Sequence, residues 1–343
     1  LARLDRVGAL ASELMHVSAA AVVTDENVAR AGHAGAVERA LGAAGIKAVP
    51  VVIRPGERAK RLAVVEEVAS HCVAQGLDRG SAVVAVGGGV VGDLAGLVAA
   101  LLFRGVAIAQ VPTTLLAMID SAIGGKTGVD LAQGKNLIGA FWQPRFVLAD
   151  VTTLETLPSR ELISAFGEVV KVALLSDPDW FAALEEGGRP ADLTDVIRRC
   201  AAVKACVVGH DERETAAPGS FSRRATLNLG HTFGHALEAA SLVEGQSPLL
   251  HGEAVALGLV ATARVSARLG LCPATLERRV VTTLAKLGID AALDRYLSSA
   301  ALSFIGVDKK RAAGKLRFIA LVDAGRTQTI ELAADELATL VRA

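Results

Sequence analysis

The run SAVVAVGGGVVGD at residues 81–93 decides the fold. A short β-branched stretch ends in three glycines and passes into a helix-forming segment, the order of strand, tight turn and helix in an α/β unit. Gly87, Gly89 and Gly92 satisfy the spacing G-x-G-x-x-G. Glycines there let backbone N–H groups approach a pyrophosphate, and the helix N-terminus behind them favours negative charge. The usual fingerprint follows the first strand and has an acidic residue about 20 positions on. Here other elements come first and Asp120 lies 28 residues past Gly92, so a tight packing turn competes with nucleotide binding.

Outward from that run, apolar stretches at 19–24, 47–53, 107–112 and 146–149 alternate with helical patterns. Such alternation argues a parallel sheet covered by helices. From about Thr156 the patterns become long and helical, broken near the end by a hairpin over 316–322 and 327–332. The expected fold is an α/β domain over 1–155 followed by a mainly α-helical domain over 156–343, with the boundary in the polar stretch before Leu157 and Pro158. The segments 186–190 and 215–220 are loops by composition.

The chain has 343 residues, with 36 basic against 36 acidic, so no net field draws it to nucleic acid or an anionic membrane. Only 3% of residues are aromatic, too few for the stacking platforms of single-strand binders. The longest uncharged apolar run, 94–103, has ten residues, whereas a bilayer span needs about 20. The opening segment, broken by Asp5 and Glu13, has no signal-like apolar stretch, and the cytoplasm is the expected compartment. Cys72, Cys200, Cys206 and Cys272 fall in no zinc or redox spacing and read as apolar filler.

Two features carry charge chemistry. Gly125-Lys126-Thr127 suggests a phosphate-binding P-loop, but the position needing the first glycine holds Asp120, which removes the ATPase reading. Lys126 and Lys135 remain, each beside glycine and near Asp120 and Asn136, as loop lysines suited to phosphate oxygens or simply solvated. Further on, His231 and His235 stand four apart on one helix face, and His251 opens the next helix. Glu168 lies among apolar neighbours that would bury a carboxylate, which must then be paired or metal-bound. A catalytic Zn²⁺ takes three protein ligands from such a set, and spacing leaves open which two histidines serve. Lys171, Lys204, the acidic run ending at Glu214, the pair Arg223 and Arg224, and Lys309 with Lys310 surround these positions as active-site or solvated charges.

Taken together, the motifs resemble the 3-dehydroquinate synthase family of the sugar phosphate cyclase superfamily. The agreement runs through PGERAK (55–60), GGGVVGDLAG (87–96), the stretch 104–144, EVVK (168–171), KACVVGHDERE (204–214), LNLGHTFGHALEA (227–239), LHGEAVALG (250–258) and DKK (308–310). The resemblance implies a Rossmann-like first domain that holds NAD and a helical second domain that holds a divalent metal, Zn²⁺ or Co²⁺. It gives the metal to Glu168, His231 and His251, and leaves His235 to the substrate as a base or phosphate partner. NAD contacts would come from Asp25 and Asn27, from Glu57 and Lys60, and from Gly88, Gly89 and Val90 with Asp93. Thr113, Thr114, Lys135, Thr156 and Leu157 would add to them, with Asp120 and Lys126 serving both ligands.

On the substrate side the same resemblance implies Asn136, Lys171, Lys204, Arg224, Asn228 and one of Lys309 and Lys310. Arg104 resembles the family arginine that reaches a substrate phosphate across a homodimer interface. The implied reaction converts 3-deoxy-D-arabino-heptulosonate 7-phosphate to 3-dehydroquinate and phosphate. Two departures stand out. Residues 215–220 look inserted between Glu214 and Arg224, which unsettles the role of Glu214 and makes Arg223 a rival of Arg224, and 244–248 lengthens a surface loop. Competing readings are a cyclase of the amino-dehydroquinate, 2-epi-5-epi-valiolone or 2-deoxy-scyllo-inosose type, a metal-dependent polyol dehydrogenase, and a regulatory protein that has lost catalysis. Lys204, Arg224, Asn228 and His235 favour a substrate with a carboxylate over the cyclases whose sugars lack one.

Overall fold

The structure, a computed structural model, describes residues 3–214, 223–243, 248–305 and 315–342. The chain divides into two compact units, Leu1–Pro158 and Ser159–Ala343.

In the first unit the strands are β1 (Ala19–Asp25), β2 (Lys47–Ile53), β3 (Ala82–Gly87), β4 (Ala107–Pro112), β5 (Lys126–Leu131), β6 (Gly134–Phe141) and β7 (Phe146–Val147). Five of them form one parallel sheet in the order β2-β1-β3-β4-β7. The helices are α1 (Val7–Leu14), α2 (Glu26–Arg30), α3 (His33–Ala43), α4 (Leu62–Ala74) and α5 (Gly89–Leu101). Alternate residues of a strand point to opposite faces, and both faces are covered. Ala21, Val23, Val83 and Ala85 pack with Val65 and Val68 of α4 and Leu94 and Val98 of α5. Ala20, Val22, Val84 and Val86 pack with Val7 and Ala11 of α1 and Val37 and Leu41 of α3. Central β3 is therefore apolar at every position, whereas β2 alternates buried and exposed residues and carries Pro50, as an edge strand can.

The chain leaves β1 for β2 on one side and then crosses to β3 on the other. A parallel sheet opens a ligand crevice beyond the carboxyl ends of its strands at such a reversal. Asp25, Gly88 and Thr113 end or follow β1, β3 and β4 there.

One expectation is corrected. Residues 126–136, read as glycine-flanked loops, form the antiparallel hairpin β5–β6, in which Lys126 pairs with Phe141 and Val129 with Ile138. Its two connecting residues, Ala132 and Gln133, lack the Asn-Gly or Asp-Gly chemistry that announces a tight hairpin. The hairpin is held instead by tertiary packing, with Val129, Ile138 and Ala140 joining the α5 face of the core.

The second unit holds α6 (Ser159–Ser164), α7 (Phe166–Ser176), α8 (Pro178–Gly187), α9 (Leu193–His210), α10 (His231–Val243), α11 (His251–Arg268), α12 (Thr275–Lys286) and α13 (Ser299–Ser303). The expected hairpin follows as β8 (Lys315–Asp323) and β9 (Arg326–Ala333), and α14 (Ala334–Arg342) ends the unit. Helix α11 is buried around nearly its whole circumference and packs against α7, α10, α12 and β8. Two glycines make its contact with the α6–α7 segment possible. A methyl on Gly167 would stand 2.0 Å from the carbonyl oxygen of Gly252, and one on Gly252 would stand 2.0 Å from that of Ser164. Each glycine is the chain neighbour of a candidate ligand, Glu168 or His251.

Candidate active site

In the first unit the candidate residues gather beyond the strand ends. Asp25 closes β1 and caps α2, its Oδ1 accepting from Asn27 N at 2.8 Å and Val28 N at 3.0 Å. Helix α5 begins after Gly88 with no side-chain cap, which leaves the N–H groups of its first turn, including those of Gly89 and Val90, facing the crevice. A methyl on Gly88 would meet Thr114 Cγ2 at 3.0 Å, and one on Gly89 would meet Ser121 Oγ at 3.1 Å. That hydroxyl is buried and has no hydrogen-bond partner among the described residues. Thr113 N donates to Gly87 O at 3.0 Å, and Thr114 Oγ1 accepts from Ala117 N at 3.2 Å. Asp120 lies in the single π-helical turn Ala117–Ser121.

A second group is joined by charge. Lys60, 3% exposed, donates to Asp93 Oδ2 at 2.9 Å and to Asn136 Oδ1, and stands 3.6 Å from Glu57 Oε1. Burial would lower its pKa, but Asp93 and Glu57 outweigh burial and raise it, so the ammonium stays charged. Asn136, at φ 54°, donates its N–H to Asp130 Oδ1 at 2.7 Å, and Asp130 N donates to Lys60 O at 2.8 Å. Lys135 Nζ is 3.9 Å from Glu57 Oε1. Lys126 is exposed at the start of β5. Thr156 Oγ1 shares a 2.8 Å hydrogen bond with His33 Nε2, and Leu157 N donates to Leu154 O at 3.1 Å. Arg104 is not brought to this cradle. It follows the opposite end of α5, roughly 20 Å from Gly89 along the helix, in a turn where Phe103, Arg104 and Gly105 all have positive φ.

The second unit builds a buried donor set. Glu168 of α7 is 1% exposed, and Lys171, one turn on and 2% exposed, lies with Nζ against its Oε2. His231 Nε2 is 3.5 Å and His251 Nε2 3.4 Å from Glu168 Oε1. Neither carboxylate oxygen makes a hydrogen bond of ordinary geometry among the described residues, a costly state for a buried charge. One donor atom from each of Glu168, His231 and His251 lies within 4.8 Å of the others. Tetrahedral ligands about 2.1 Å from one Zn²⁺ stand about 3.4 Å apart, so the set fits a metal.

The histidines are tuned differently. His231 Nδ1 faces Leu229 O at 3.1 Å, and burial with the nearby Lys171 charge pushes its pKa down to about 3, leaving Nε2 a free lone pair. For His251 burial is outweighed by hydrogen bonds to Glu168 and Glu238, which push it up to about 10, so a metal ion must displace a proton there. Glu168 is held well below the usual carboxylate range, with Lys171 overcoming burial. The His235 ring, 5.1 Å from that of His231 and 6.0 Å from that of His251, stands beside the donors and is exposed.

Lys204 is half-buried on α9, and the buried Arg224 guanidinium donates to Glu212 O. Asn228 ends the short turn Arg223–Asn228 and is exposed, while Glu214 is exposed at φ 52°. Lys309, Lys310, residues 215–222 and most of 244–248 lie outside the described residues. Sequence reasoning missed Ser121 and Glu238. Nothing in the local text marks Ser121, whereas Glu238, one turn past His235, sat in the quoted motif without a role.

The fold is that of the sugar phosphate cyclases. With TM-scores of 0.82, the chain is similar to a 2-deoxy-scyllo-inosose synthase solved with carbaglucose-6-phosphate, NAD⁺ and Co²⁺, at 26% identity over 98% of this chain and 94% of that one. It is equally similar to the 2-epi-5-epi-valiolone synthase of Streptomyces hygroscopicus subsp. jinggangensis solved with NAD⁺ and Zn²⁺, at TM-score 0.82 and 28% identity over 98% and 93%. Sequence models of the 3-dehydroquinate synthase N-terminal and C-terminal regions match residues 50–164 and 165–311. The 3-dehydroquinate synthase of Rhodospirillum rubrum is 46% identical over 338 residues, covering 94% of this chain and 85% of the relative. The chain belongs to the 3-dehydroquinate synthase family of enzymes.

Proposed function

We propose that the chain converts 3-deoxy-D-arabino-heptulosonate 7-phosphate to 3-dehydroquinate and phosphate, with NAD and Zn²⁺ or Co²⁺ as resident cofactors. The observation that carries the reading is the buried Glu168 carboxylate facing His231 and His251 in a chain of this family. Identity to a 3-dehydroquinate synthase, 46%, exceeds that to the cyclases of other sugars, 26% and 28%, and supports the carboxylate-bearing substrate.

When bound, NAD supplies a hydride acceptor that returns its hydride within the turnover, and the metal supplies a Lewis acid that acidifies the hydroxyl to be oxidised. The α5 N-terminus with Gly88, Gly89 and Val90 would hold the pyrophosphate, its N–H groups complementing the charge. Asp25, Asn27, Glu57, Lys60, Asp93 and Lys135 would orient the nucleosides, with Thr113, Thr114, Thr156 and Leu157 packing beside them. Asp120, in the π-helical turn whose Ser121 hydroxyl lies beside Gly89, would serve both ligands.

For the substrate, Lys126 supplies a point charge to phosphate, and Asn136, held by Lys60, an amide donor. Glu168, His231 and His251 would hold the metal, and Lys171 offsets the charge of Glu168. His235, exposed beside the donors, would hold or accept a proton at its ring nitrogen. Lys204 and Arg224 would pair with the substrate carboxylate, the guanidinium offering a planar fork, with Asn228 and Lys310 adding donors. A homodimer with Arg104 reaching the neighbouring copy's substrate belongs to the same reading, supported by the exposed, strained turn that carries Arg104 away from its own cradle. The cytoplasm is the compartment that goes with this reading. No described helix is long and apolar enough to cross a membrane.

The test is phosphate release by the purified protein with NAD, offered the heptulosonate phosphate, sedoheptulose 7-phosphate and glucose 6-phosphate separately, before and after chelation. Release from the heptulosonate alone, lost on chelation and restored by Zn²⁺ or Co²⁺, is expected. Release from a carboxylate-free sugar would keep the fold and overturn the roles of Lys204 and Arg224.

A further inference from the structure

We propose that Glu238 is the positioning residue for His251, holding the Nδ1 side of that imidazole so that Nε2 is aimed at the ion shared with Glu168 and His231. The inference rests on the metal reading of those three residues. Glu238 Oε2 stands 3.3 Å from His251 Nδ1, and its side chain is 13% exposed. Helix α10 thus delivers two parts of the site, the ligand His231 at its first position and the outer carboxylate two turns later.

The two histidines have unlike supports. His231 leans on a backbone carbonyl, Leu229 O at 3.1 Å, which no substitution of a side chain removes. His251 leans on a carboxylate, and a carboxylate behind a ligating imidazole fixes its tautomer and strengthens its lone pair. Main-chain anchors hold the same residue from below. Leu250 N donates to Glu253 Oε2 at 2.8 Å, Glu253 is clamped by Arg160 through two 2.8 Å contacts, and Arg160 Nη2 also donates to Pro248 O at 2.8 Å. Ser241, on α10 beyond Glu238, accepts from Leu249 N at 3.1 Å. These contacts fix where the His251 backbone begins its helix, but they do not fix the ring. Among the described contacts of His251, Nε2 faces Glu168 Oε1 and Nδ1 faces Glu238 Oε2, so the ring is held from both nitrogens and Glu238 is the support that lies outside the donor set.

The deciding measurement is Zn²⁺ affinity by chelator competition at fixed pH, together with the visible absorption of the Co²⁺ form, for the wild type, Glu238→Gln, Glu238→Met, Glu238→Ala and His251→Ala. Glu238→Ala should weaken Zn²⁺ by about 10- to 100-fold and shift the Co²⁺ band. Glu238→Gln keeps an acceptor of the same shape and should recover most of that loss, whereas Glu238→Met, which fills the same space without an acceptor, should not; recovery by methionine would mark a merely space-filling residue and overturn the proposal. The Glu238 variants should melt within a few degrees of the wild-type apoprotein, and Glu238→Met serves against Glu238→Gln if the alanine variant does not fold. Unchanged affinity and spectrum in the Glu238 variants, with His251→Ala still crippled, would overturn the proposal and leave the metal site standing. Absence of tight binding in the wild type would overturn the metal reading and the proposal with it.

Discussion

The two units build their sites from opposite materials. In the first, polar groups sit at strand ends and on a hairpin, and several satisfy one another, as Lys60 does with Asp93 and Asn136. In the second, the donors project from long packed helices, and the Glu168 carboxylate is buried without ordinary hydrogen bonds. A self-satisfied cradle can lose one member and keep the rest, whereas a buried donor set needs every member to balance its charge. The first should therefore respond to substitution in steps, and the second all at once.

Glu168→Gln is the hardest blow to that contrast. It removes the charge that His231, His251 and Lys171 surround, and the expected result is a fall in phosphate release of roughly 10³-fold or more, about 4 kcal/mol in the barrier. Metal content of the folded variant should fall with it. Retention of stoichiometric Zn²⁺ and near-normal turnover would mean that the carboxylate is a structural partner of Lys171 and no ligand.

Lys60→Met probes the other side. It deletes the buried ammonium from Asp93 and Asn136 without enlarging the side chain, and hydrogen bonds to charged groups are each worth about 1.5–3 kcal/mol. NAD affinity by titration calorimetry should weaken by about 10- to 100-fold, with Zn²⁺ binding to the second unit unchanged. A variant as dead as Glu168→Gln would erase the distinction between the two sites, and unchanged NAD affinity would remove Lys60 from the cradle.

The same difference governs what the sequence reveals. Strands β1 to β4 are legible because apolar β-branched runs end in glycine or polar residues, and the text places His231 and His235 on one helix and His251 at the start of the next. The metal set is half legible. Burial of Glu168 can be read from its neighbours, but the choice between His231 and His235 depends on how α10 is rotated against α11, which spacing does not contain. Hairpin β5–β6 escaped because its stability comes from packing Val129 and Ile138 on α5 and not from its turn. The Lys60 to Asn136 contact joins residues 76 apart, and Glu238 meets a histidine on the next helix. Such contacts are set by tertiary geometry alone.

The smallest effect expected is far from either site and tests whether the first unit's frame is as tolerant as its cradle. Asp150, with no exposed surface, accepts hydrogen bonds from Leu4 N at 3.1 Å, Thr152 N at 3.1 Å and Thr152 Oγ1 at 2.7 Å, and from Arg3 N. Burial raises its pKa, but these donors outweigh burial and hold it below the usual carboxylate value. A folded pKa below the unfolded value means that the unfolded chain binds the proton more tightly, so the stabilisation is present above about pH 4 and is lost as pH falls through the folded pKa. Asp150→Asn should cost about 1 kcal/mol at neutral pH, the net worth of a typical hydrogen bond, because the amide oxygen keeps part of the donor set. In urea titrations the gap between wild type and variant should close as pH drops below 4. A gap that stays constant from about pH 5 down to about pH 2 would mean that shape, and not charge, makes Asp150 hold the chain's first turn to the sheet.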